Sequence, residues 1–198
     1  LHSRRQLIPC FGIFIYVLVE ASVVMYCNYY LQQLHNAPEV WAVRAIGVFW
    51  GTMALGRFLC AWIPEHISYV RITALLFMLL GVCLAGQALV DTWSWSLVIF
   101  ATAGLLCSGI WPLIVGLTAS LHEEYAATAV GLTVAAGALG AAAAPAFMNL
   151  LLGGVPLPYV YACVGGAAVI GAGLFLFPGR TMESRRTDVE AAAGAIVE

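Results

Sequence analysis

A chain of 198 residues in which 63% are hydrophobic and 9% charged, with a mean hydropathy of +0.95, cannot present a water-facing surface, because a soluble domain carries about 25% charge. The formal net charge of −2, with every basic residue an Arg, argues against nucleic acid and against a Lys-rich docking patch. The length accommodates roughly six bilayer crossings at about 20 apolar residues each.

The first span is expected over 7–31. Ser3, Arg4 and Arg5 lead straight into an apolar run too long for a signal-peptide core and lacking a small-residue cleavage site. Together with a start at Leu1, this suggests a chain whose upstream part is missing. Glu20 lies near the middle of the span, where an ionised carboxylate is costly and rarely kept without a use. Tyr16 is one turn before it, Asn28 two turns after it, and Cys27 borders the same face. Such a polar stripe on an aliphatic helix should face a cavity or another polar helix. A proton-carrying role for Glu20 follows from that placement, and a hydrogen-bonded structural carboxyl is the plainer alternative.

Gln32, Gln33, His35, Asn36 and Pro38 interrupt the pattern before a second span over 40–63. It carries Trp50 and the run Gly56–Arg57 near its end. Snorkelling explains a terminal Arg. A conformational latch formed by Gly56 and Arg57, with Arg57 capping carbonyls or pairing with an acid such as Glu65 in one state, is the sharper reading. The third span covers 70–90 and stops at Asp91. The fourth, 94–121, contains Ser108, Gly109, Trp111 and Pro112. Pro112 lacks the backbone donor and crowds the preceding turn, so a local break is expected there, with Trp111 as an aromatic platform at mid-depth or as a packing residue. His122 to Tyr125 precede a fifth span over 126–152, and the Gly153, Gly154, Pro156, Pro158 turn precedes a sixth over 157–177. Arg, Glu, Thr and Ser then mark 179–198 as a mobile tail.

Segments of this length without strand alternation are helices. The fold class is all-α, a polytopic membrane bundle of six transmembrane helices. Apart from Arg44, the Arg residues fall on one side, which by the positive-inside rule puts both termini in the cytoplasm. Small residues four apart, such as Gly47 and Gly51, Gly81 and Ala85, Gly104 and Ser108, and Ala136, Gly140 and Ala144, suit close helix approach. Gln87 and Asn149 are candidates for bonds between helices. The six cysteines are scattered singly through apolar runs and read as small core hydrophobes, so neither metal nor cofactor is expected.

In this order, the residues resemble the C-terminal six-helix half of a major facilitator superfamily transporter, over about residues 5 to 177. Tyr16 to Glu20 resembles that family's seventh helix, Phe49 to Arg57 its eighth with the Gly-Arg ending, Gly109 to Pro112 its tenth, and Gly131 to Pro145 its eleventh. Within the superfamily the acidic seventh helix and the Gly-Arg eighth most resemble the fucose/galactose proton symporter branch. Glu65 and His66 depart from the usual Asp-Arg loop pair. The resemblance implies half of a twelve-helix fold and alternating access, with Glu20, Tyr16, Asn28 and Trp111 facing the substrate and proton pathway. A missing N-terminal half or a second copy would complete it, in the plasma membrane. It also implies an inverted repeat, although spans one to three and four to six share no convincing similarity. A non-transporting scaffold or transporter relic is the alternative. An intramembrane enzyme is disfavoured, because His2, His35, His66 and His122 lie at span ends or in loops and no intramembrane acid pair occurs.

Overall fold

Residues 4–60 and 68–176 are described by the computed structural model, and among them six helices are long and apolar enough to cross a bilayer. They are α1 (Arg4–His35), α2 (Glu39–Cys60), α3 (Tyr69–Ala85), α4 (Trp93–Leu121), α5 (Ala126–Gly154) and α6 (Leu157–Leu176). Short 3-10 turns occupy Gly86–Leu89 and Glu123–Tyr125. No strand occurs among the described residues, as expected where each spanning segment must pair its own backbone groups. The chain is an all-α polytopic membrane protein.

The helix ends have local causes. α1 continues past Leu31 because Gln32 and Gln33 are straight-chain residues that a helix accepts readily. It stops where Asn36 turns left-handed at φ 49°, and the Ala37 N–H donates back to the Leu31 carbonyl at 3.1 Å. α3 starts behind Ser68, whose hydroxyl accepts the Arg71 N–H at 3.3 Å. The break expected at Pro112 does not interrupt α4, which remains helical from Trp93 to Leu121, and α1 and α5 likewise run through Pro9 and Pro145. Loss of one backbone bond inside a packed bundle is compensated by its neighbours. Trp62, Pro64, Glu65, His66 and the tail 179–198 lie outside the described residues.

Three helix pairs make the most extensive contacts: α3 with α6, α1 with α5, and α2 with α4. Exchanging α1 with α4, α2 with α5 and α3 with α6 maps each of these pairs onto one of the three. The lesser pairs obey the same exchange, α1–α6 with α3–α4 and α1–α2 with α4–α5. The two triplets therefore hold equivalent places in the packing, which sequence comparison of the spans does not reveal. Three crossings per triplet start the second from the opposite side of the membrane.

Glycines set the close approaches in each of the three main pairs. A methyl added to Gly165 of α6 would sit 2.5 Å from the Gly81 carbonyl oxygen of α3. Gly140 of α5 lies against the Phe14 carbonyl and Leu18 N–H of α1, and Gly104 of α4 against the Phe49 carbonyl and Thr52 hydroxyl of α2. Lipid gives little hydrophobic drive to helix association, so backbone contact of this kind carries much of the packing. Gly47 and Gly51, by contrast, meet open space and pack against no other described helix.

A polar and aromatic cluster ties the bundle together near the far ends of α1, α3 and α4. The Ser96 hydroxyl donates to the Gln87 side-chain oxygen at 2.7 Å, and the Gln87 amide donates to the Ser96 carbonyl at 3.1 Å. The Tyr30 hydroxyl reaches the Gln87 and Pro158 carbonyls at 3.3 and 3.4 Å, and its ring meets Tyr161 edge-on at 4.8 Å. Trp41 and Trp93 stack at 5.7 Å, and the Arg44 guanidinium sits 5.3 Å over the Trp41 ring. That cation–π contact gives the exceptional Arg44 a local partner.

Candidate functional site

α1, α2, α4 and α5 together wall a groove of about 560 Å³, whereas α3 and α6 contribute nothing to its lining. α1 supplies Val17, Glu20, Ala21, Val24 and Met25, residues three and four apart that share one helical face near mid-span. α2 supplies Trp50 and Arg57 two turns apart, α4 supplies Trp111, and α5 supplies Ala141. Met25 and Trp50 are 57% and 45% exposed, so the groove is open along that edge.

Among the described residues, Glu20 and Arg57 are the only charged ones lining it. They lie within electrostatic reach of each other, yet they form no ion pair among the described residues. Arg57 is exposed, and Glu20 is half-buried. Tyr16 is fully buried behind the groove, its ring edge-on to Trp111 at 6.3 Å. Its hydroxyl is buried beside the Glu20 carboxyl one turn on and interacts with it at a geometry looser than an ordinary hydrogen bond. Cys107, also fully buried, faces Glu20 from α4.

The site thus gathers Glu20, Trp111 and Arg57 and keeps Tyr16 as its back wall. Asn28 is half-buried and does not line the groove; its side-chain oxygen is buried without a described partner. Gly56 is a packing residue, pressed against Ser108 and Leu105 of α4. That contact holds the end of α2 on α4 and aims Arg57, one residue on, along the groove. Asn149 accepts a bond from the Tyr26 hydroxyl at 3.4 Å, joining α5 to α1 beyond the groove.

No protein family, curated protein or solved structure matches this chain. Val17, Ala21, Val24 and Met25 were legible in principle, since they lie at helical spacing from Glu20. Trp50 and Ala141 were not, because which face of α2 and α5 turns toward α1 depends on how the helices pair. Among the described residues no hydroxyl or amide side chain lines the groove. Among the described residues no group of His, Cys, Asp or Glu is arranged to hold a metal ion.

Proposed function

We propose that the chain forms one wall of a secondary transporter that moves a small solute by alternating access, with Glu20 carrying the coupled proton. The observation that carries this reading is the groove itself. An ionisable carboxyl near the middle of α1 and a guanidinium in the last turn of α2 face a common space of ligand size between four spanning helices, and a carboxyl at that depth usually marks a substrate or ion path. The exchange symmetry of the two helix triplets supports it, because inverted repeats with a site between them are a common transporter plan.

The groove is open along one edge, and a partner is expected to close it, either an N-terminal six-helix half or a second copy. Both ends of the described bundle lie on one side after six crossings, and the Arg distribution favours the cytoplasm for that side. The test is uptake of a radiolabelled solute panel in proteoliposomes under an imposed pH gradient, for this chain alone and joined to its flanking coding sequence. Gradient-dependent uptake by either form supports transport. No uptake by either form across the panel favours a scaffold, and uptake indifferent to the gradient leaves transport standing without the coupled proton.

A further inference from the structure

We propose that the groove takes an amphipathic organic anion, a small carboxylate with an aromatic or aliphatic body, rather than a sugar or an organic cation. This deepens the transport reading and rests on the same groove. Arg57 supplies the fixed positive charge of an arginine guanidinium. The groove's other charge, Glu20, is either neutral or −1. The lining is therefore net positive when Glu20 holds a proton and neutral when it does not, and in no state is it net negative. An organic cation would meet no complementary field. A carboxylate would find Arg57 exposed and without an ion-pair partner among the described residues, able to form the bidentate pair that guanidinium geometry favours.

The remaining lining defines the body of the ligand. Val17, Ala21, Val24, Met25 and Ala141 are aliphatic or thioether surfaces, and Trp50 and Trp111 are aromatic plates. A hexose entering this space would leave most of its hydroxyls without a protein partner, which is unfavourable for each one that loses water. A phenyl or short alkyl chain loses nothing there. The charge arrangement also links ligand to proton. The groups facing Glu20 are Tyr16 on its own helix, Arg57 from α2 and Cys107 from α4. Of these only Arg57 carries a fixed charge. Ionised Glu20 sets a negative charge within electrostatic reach of Arg57 that offsets the guanidinium and repels a ligand carboxylate, and protonation removes that charge, so proton and anion enter together. An anionic lipid headgroup with its acyl chain offers the same chemistry from the bilayer.

The test is equilibrium binding of radiolabelled benzoate to the purified chain in phosphatidylcholine nanodiscs at pH 6, with unlabelled benzamide, benzylamine and a hexose as competitors. Benzoate binding that these three leave in place supports the proposal. Arg57→Gln is expected to weaken it at least tenfold and Arg57→Lys by less, with unchanged thermal stability showing that both variants are folded. Glu20→Gln, which fixes that side chain in a neutral form, is expected to bind benzoate at least as tightly as the wild-type protein. Loss of benzoate binding when phosphatidylglycerol is added to the discs identifies a lipid as the source of the anion and still supports the site chemistry. Competition by benzamide or hexose as strong as by benzoate, or indifference to both Arg57 variants, overturns the proposal. Hexose uptake without benzoate binding defeats the ligand class while leaving transport standing; benzoate binding without flux of any solute does the reverse.

Discussion

Tyr16 shows how one side chain can serve packing and leave chemistry open. Its ring is sealed against Trp111 while its hydroxyl is buried beside Glu20 with no bond of ordinary geometry. A buried polar group without a partner is unfavourable by about 1–3 kcal/mol. Tyr16→Phe is therefore expected to leave the melting temperature in detergent unchanged or raised, and a clear fall would show that the hydroxyl is bonded. Ser96 gives the opposite case. Its hydroxyl satisfies the buried Gln87 side chain, so Ser96→Ala leaves that oxygen without its donor and is expected to cost about 1 kcal/mol, read as a lowered thermal midpoint. Neither partnership is visible in the sequence. Gln87 is recognisable there as a polar residue in an apolar run, but its partner lies in the next helix.

At the scale of helices, the glycines divide by what stands opposite them. Gly104 and Gly140 touch the backbone of α2 and α1, which cannot move aside as a side chain could, whereas Gly47 faces open space. Valine at Gly104 or Gly140 is expected to destabilise the bundle by about 1–3 kcal/mol through overpacking, and valine at Gly47 to leave the isolated chain's stability nearly unaltered. Equal effects at the three sites would contradict this division. Gly81, Gly104 and Gly140 were all legible as small residues spaced four apart. That Gly47 and Gly51, with the same spacing, pack against nothing in this chain was not, because spacing identifies a smooth face without saying whether a helix of the same chain covers it. Helix existence was legible from hydropathy throughout. The ends were less so: α1 outlasts its apolar run by four residues, and α4 stays helical through Pro112, since polar Gln and a single proline are weaker signals than the tertiary packing that overrides them.

For the molecule as a whole, two helix triplets related by exchange place α1 and α4 where each meets four other helices, while α2 and α5 keep broad uncovered faces. The candidate site follows from that plan. Glu20, Trp111 and Arg57 are far apart in sequence and could be singled out individually by their placement in apolar spans, but their meeting in one groove depends on α1 pairing with α5 and α2 with α4. Asn28, on a nearby face of the same helix, is left outside it. If the groove is the path of a coupled proton, replacing Glu20 removes coupling without dismantling the bundle, because its half-buried carboxyl forms no ion pair among the described residues.

Lumenal pH in proteoliposomes, followed with a trapped fluorescent indicator as solute is added outside, reads that coupling. Solute-dependent acidification with the wild-type protein, absent in Glu20→Gln of equal thermal stability, is the expected result. Solute entry accompanied by the same pH change in both, or entry with no pH change in the wild type, would contradict a proton path through Glu20.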